Sequence, residues 1–351
     1  MVAELQQVAL PKGPAVESAR SRLKNIHILL ADEDPCLSHV IIHNLRAMGF
    51  SRITYARSAA EVERALRAST VHVLITERHL QGLDGIELVK SIRSGERGDQ
   101  RNLPIIMLTG HGEILDVTEA RDAGISEFII KPFSAKILYS RIEQIVDKPR
   151  SFLVSRTYTG PDRRRKGMPP AGEADRRTLQ PRAKQRLDIP VDPDEMPIVI
   201  SPDFTIKRLM GTAEPLSRII TPALVEEAQK TIDALSDSYM HWLTVDLKIL
   251  EQSHHAMTTE YATYHMIKAK NAALSIKGRA GVFGFALASD VARLLFLFMH
   301  NDFTPPNARH SNIISQHIDA LKVILARKIR EGDPTANELL RELQRLVISQ
   351  K

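Results

Sequence analysis

At 351 residues the chain is too long for one ordinary core and long enough for two, so two domains and a connector are expected. Its single cysteine, Cys36, excludes an internal disulfide and a cysteine-built metal site. No apolar run reaches bilayer length, the first residues to about Arg22 lack the features of a secretory signal, and the net charge of +6 is concentrated in one connector, which together predict a cytoplasmic protein without membrane insertion.

Residues 1–23 read as an N-terminal tail and residues 24–147 as the first domain. Ile26 to Ala31 has the apolar continuity of a buried strand and runs into Asp32, Glu33, Asp34 and Pro35. Asp34 is an N-cap with Pro35 at the first helical position, and Leu37, Val40, Ile41, Leu45 and Met48 keep one apolar stripe until Gly49. A weaker strand around Ile53 to Ala56 precedes a helix opened by the capping pair Ser58 and Glu61. Val71 to Ile75 is a second strongly apolar run, and it ends at the carboxylate of Glu77 before a loop through Gly82 to Asp84 and Gly85. A helix with Ile86, Val89 and Ile92 follows, then a strand from Pro104 to Thr109 and a helix stopped by Gly124. Glu127 to Ile130 is the fifth strand, followed by Lys131, Pro132 and a last helix with Leu138, Ile142 and Ile145. Five such alternations predict a five-stranded, doubly wound parallel sheet, α/β in class, with its ligand crevice at the C-terminal strand ends.

Those ends carry Asp32 and Glu33, then Glu77, Thr109 and Lys131. Acid pair, acceptor carboxylate, hydroxyl and Lys-Pro in this order resemble the receiver domains of bacterial two-component response regulators, which have a flavodoxin-like fold. The resemblance implies that Asp32 and Glu33 would hold Mg2+, that the acceptor attacks phosphorus in line, and that Lys131 neutralises the developing charge. It also puts the rotameric switch aromatic at Phe128. The family carries aspartate where this chain has Glu77, one methylene longer. Extra reach of about 1.5 Å at a nucleophile costs on the order of a hundredfold in rate. The same reach brings the carboxylate toward the place of phosphoryl oxygens, near Thr109 and Lys131, so the domain is expected to accept phosphate poorly and to lean toward the phosphorylated-like form. A purely structural Glu77–Lys131 strut is the competing expectation.

Residues 148–211 are expected to be a basic, largely flexible linker. Gly160 to Gly167, Pro169-Pro170, Arg176-Arg177 and Pro181-Arg182 show no helical or strand period. Ile198 to Ile200, with Phe204 and Ile206, look like an extended segment laid on a domain rather than another sheet.

Residues 212–351 read as a separate all-α bundle of antiparallel helices. Thr221-Pro222 starts a long helix with a stripe through Ile232, Leu235, Tyr239, Trp242, Val245 and Ile249. A second helix begins at Thr258 or Thr259, a third carries Val291, Leu295 and Phe298, and a fourth Ile314, Ile318, Leu321, Leu325 and Ile329. Asp333-Pro334 starts a fifth with Leu339, Leu343 and Leu346. Within it, Leu274, Lys277, Gly278 and Gly284 resemble the phosphorylation helix of histidine phosphotransfer domains, with Leu274 in place of the histidine. On a helix Lys277 and Gly278 flank Leu274, a surface shaped to dock a receiver without exchanging phosphate. His254, His255 and His265 lack Lys-Gly at the required offset.

With both phosphoryl-carrying positions replaced, the expected function is an adaptor of a phosphorelay rather than an enzyme. It would bind a sensor histidine kinase or receiver and phosphotransfer proteins, through the surface near Phe128 and the last two helices by resemblance. Homodimer formation stays open. One alternative is a working relay component; another is an RNA- or lipid-binding regulator acting through Arg163 to Lys166. Specific DNA binding is not expected, since no helix-turn-helix follows the connector.

Overall fold

A computed structural model of the chain describes residues 14–80, 82–96, 100–109, 114–163, 198–202, 204–259, 263–300 and 307–329, with residues 341 and 345 singly. The N-terminal part is a doubly wound α/β layer built on β1 (His27–Ala31), β2 (Arg52–Ala56), β3 (Val73–Glu77), β6 (Ile105–Thr109) and β7 (Glu127–Ile130). They form one parallel sheet in the order β2-β1-β3-β6-β7, while β4 (His79–Leu80) and β5 (Leu83–Asp84) make a small hairpin beside it. Every residue of β1, β3 and β6 is buried, because helices cover both faces of the sheet. That double burial is the reason these strands read as unbroken apolar runs.

One face carries α2 (Pro35–Ala47) and α6 (Ala135–Asp147). The other carries α3 (Ala59–Ala68), α4 (Gly85–Ser94) and α5 (Ile114–Ala123), closed over Val62, Leu66, Ile86, Val89, Ile92 and Ala120. Asp34 caps α2 by accepting from the Cys36 and Leu37 amides, and Ser58, Asp84 and Ser134 cap α3, α4 and α6 in the same manner. Register then brings the C-terminal ends of β1, β3, β6 and β7 together at one edge.

Two segments are more ordered than the sequence suggests. Within the N-terminal tail, α1 (Pro14–Leu23) is a helix whose Ala19 and Leu23 are buried, Ala19 lying against the left-handed Gly49 turn (φ 105°). The expected flexible linker contains β8 (Phe152–Val154), β9 (Thr159–Pro161) and β10 (Ile198–Ile200), which make a three-stranded antiparallel sheet, followed by α7 (Thr205–Met210). Phe152 lies under the Arg93 guanidinium, whose Nε donates to the Gly124 carbonyl, and Arg163 pairs with Asp122 while stacking on Tyr158. Strands of three residues are too short to show a period, and Pro161 sits on an edge strand where it gives up no ladder bond. Arg164 to Lys166 and the remainder of the basic stretch lie outside the described residues.

After the short α8 (Leu216–Ile219) come α9 (Pro222–Thr259), α10 (Thr263–Val282), α11 (Ala286–His300) and α12 (Ala308–Ala326), packed on one another. The sequence expectation for α9 needs correcting: Leu243, Leu247, Leu250 and Met257 are buried, while Val245 and Ile249 are exposed at 36% each. The cause is that α9 has partners on two sides, α2 and α6 of the receiver and α10 and α12 of its own segment, so one period cannot select its stripe. The second helix starts at Thr263 rather than at Thr258 or Thr259. Leu339, Leu343 and Leu346 lie outside the described residues. The segment is not separate from the receiver, since Val40, Ile41 and Leu138 share one continuous apolar core with Leu243, Ile276 and Leu321. Among the described residues no helix is long and apolar enough to cross a membrane.

Candidate functional site

The loop after β1 turns on Asp32, which is 1% exposed. Its Oδ1 accepts from the Asp34 amide at 2.8 Å, its Oδ2 takes Lys131 Nζ at 2.9 Å, and its carbonyl accepts from Tyr55 hydroxyl at 2.9 Å. Burial pushes its pKa up to about 6, against the pull of Lys131, with Glu77 and Asp34 adding to the rise. Glu77 closes β3. One of its oxygens accepts from the Arg78 amide at 2.8 Å and the other pairs with Lys131 Nζ. The ammonium of Lys131 is thus held between two carboxylates. Burial works against its charge, but Asp32 and Glu77 together lift its pKa above the ordinary lysine value. Its amide donates to the carbonyl of the fully buried Thr109 at 2.7 Å, which ties β7 to β6 at the pocket floor.

Gly85 explains the glycine after Asp84: a Cβ there would overlap the Glu77 carbonyl oxygen. The start of α4 therefore lies directly on the end of β3. Phe128 is half-buried and packs against the apolar cluster on the α3–α4–α5 face of the sheet.

Asp32, Glu77, Thr109 and Lys131 come together as the sequence order suggests, but Glu33 is exposed. Both Asp32 oxygens and both Glu77 oxygens are engaged within the protein, and among the described residues no group of three His, Cys, Asp or Glu is placed to hold a metal ion. Mg2+ takes only one or two protein carboxylates beside its own waters, so Asp32 and Glu77 would hold it once Lys131 moved off Asp32.

On α10, Leu274 and Lys277 are half-buried. Burial, aided by Arg293, lowers the Lys277 pKa. A Cβ on Gly278 would meet nothing, so that glycine answers no close approach. Gly284 (φ 79°) terminates α10 by a left-handed turn. The close approach is at Gly281, seven residues beyond Leu274 on the same helix face, where a Cβ would overlap the ring of Pro132. Arg279 reaches the receiver as well, its Nε 2.9 Å from Asp34 Oδ2 and its Nη1 on Asp246 Oδ2 of α9, with its guanidinium over Trp242 at 5.4 Å. Sequence reasoning passes over Arg279, Gly281 and Asp246. The available signals were an arginine and an aspartate inside apolar stripes, each of which needs a partner once buried.

A parallel sheet presenting a buried acid, a second carboxylate, a hydroxyl and a lysine at its C-terminal edge defines a receiver-class protein. A family model for the response regulator receiver domain matches residues 28–143. The chemotaxis protein CheY1 of Helicobacter pylori is 30% identical over 120 residues, covering 34% of this chain and 95% of that protein. CheY of Pseudomonas aeruginosa is 29% identical over 121 residues, 34% of this chain and 96% of that one. A solved receiver domain of a sensor histidine kinase from Pseudomonas aeruginosa PAO1, with magnesium in its active site cleft, is 29% identical, covers 34% of this chain and 94% of its own, and has a TM-score of 0.30. The chain belongs to the response regulator receiver family through these residues, and residues 28–143 are a receiver domain of two-component signalling.

Proposed function

We propose that this receiver works as a phosphorelay adaptor that binds signalling partners without carrying the phosphoryl group. The observation that carries the reading is the Glu77–Lys131 ion pair. In a receiver the lysine must be available to a phosphoryl oxygen, and here a protein carboxylate already holds it. The nucleophile is therefore displaced by a methylene and neutralised by the residue that would stabilise the charge it creates, which lowers the rate by a hundredfold or more on the order-of-magnitude scale for such displacement. In this reading the Glu77–Lys131 pair leans the receiver toward a phosphorylated-like form without a phosphoryl group. Partners of matching chemistry are kinase, receiver and phosphotransfer domains, with the helical segment supplying a phosphotransfer-like helix that carries Leu274 instead of an imidazole.

The test is binding calorimetry of the full chain against phosphotransfer and receiver domains of the same cell, with and without acetyl phosphate. The adaptor reading expects an affinity for at least one of them that acetyl phosphate leaves unchanged. Affinity that rises only when the chain itself becomes phosphorylated would contradict it and favour a working relay component.

A further inference from the structure

Three loops frame the described part of the pocket, and helical-segment residues grip two of them. The loop after β1 is held at Asp34, whose carboxylate takes Arg279 at 2.9 Å. The loop after β7 is held at Pro132, against which Gly281 lies without room for a Cβ, and at Ala135, whose amide donates to Gln229 Oε1 at 3.0 Å. Behind these points α9 runs along α2 and α6. The pocket side chains are little exposed, with Asp32, Lys131 and Glu77 at 1%, 6% and 11%.

The centre of this contact is polar. Arg279 sits between carboxylates of two different segments, Asp34 of the receiver and Asp246 of α9. Apolar packing of the same volume holds two surfaces together at least as well, so a buried ion pair at this spot contributes geometry rather than strength. It fixes α10 in one position against the loop after β1.

We propose that the helical segment is a lid on its own receiver: Arg279 and Gly281 seat α10 on the Asp34 and Pro132 loops, and the pocket meets other molecules only when this seat opens. The occupant of the receiver's α2–α6 face is therefore this same chain, and an external partner for that face has to displace it. The lid concerns the pocket of the proposed adaptor, but it stands whether or not Glu77 accepts phosphate.

Cys36, the only cysteine, is a native reporter of the seat. It is fully buried in the first turn of α2, and burial pushes its thiol above the usual range, with Asp34, Arg279 and Asp246 among the charges acting on it. The experiment is thiol labelling of the native full chain over a series of low urea concentrations. The lid predicts labelling through a partial opening, with a urea dependence shallower than that of global unfolding. Arg279→Ala should speed labelling by roughly a hundredfold to a few thousandfold, the factor that follows loss of a buried ion-pair partner. Gly281→Ala should speed it by about tenfold, through overpacking against Pro132. A wild-type urea dependence equal to that of global unfolding would overturn the lid, as would equal labelling rates in wild type and both variants. The readout is a thiol and not a phosphate, so the lid and the adaptor reading fail separately.

Discussion

Lys131 is the cation shared by both pocket carboxylates, and its removal shows what the arrangement costs. Lys131→Ala leaves Asp32 and Glu77 buried beside each other without a cation, and breaking a buried pair in this way destabilises by about 3–5 kcal/mol. Urea denaturation should show that loss as a lower midpoint with an unchanged slope; a midpoint within error of wild type would mean that water already screens the pair. Asp246 gives a second test at this scale. Burial raises its pKa from 3.8 to about 6, with Arg279 opposing and Asp34 reinforcing the rise. The folded chain therefore holds a proton that the unfolded chain releases between those values, and this group's contribution to stability falls as pH rises through the window. Asp32 acts with the same sign. Asp246→Asn should consequently gain less from acidification than wild type when urea midpoints at about pH 4 and about pH 7 are compared. Parallel shifts in the two proteins would contradict the raised value.

At the scale of elements, the strands that carry the pocket are legible in the sequence because parallel strands buried on both faces are continuous apolar runs that stop at a polar residue. β1, β3 and β6 end that way, and so Asp32, Glu77 and Thr109 can be placed before any coordinates. Asp84 and Gly85 are legible for a related reason, as a cap followed by a residue that must have no Cβ. Gly85→Ala should cost about 1–3 kcal/mol through overlap with the Glu77 carbonyl and should disturb the pocket through β3, measured as a lower thermal midpoint. An unchanged midpoint would show that α4 can slide. Other elements are not legible. The three-residue strands β8 and β9 fall below any period, and α9, packed on two sides, has apolar residues around its circumference, so that Val245 and Ile249 look like core and are exposed. The seat of α10 is equally hidden, because Arg279 and Gly281 make sense only once Asp34 and Pro132 are beside them.

For the whole molecule, one apolar core runs from α2 and α6 into the helical segment, so the lid is seated by apolar packing as well as by Arg279. The pocket inside that unit is organised around a carboxylate that binds its own lysine. Glu77 can be shortened by a methylene without changing its charge, and that substitution separates a lost acceptor from a lost scaffold. The measurement is intact mass of the full chain after incubation with acetyl phosphate and magnesium, for wild type and Glu77→Asp side by side. The account predicts no added phosphoryl group on wild type and a phosphorylated fraction on Glu77→Asp. Stable phosphate on wild-type Glu77 would contradict it.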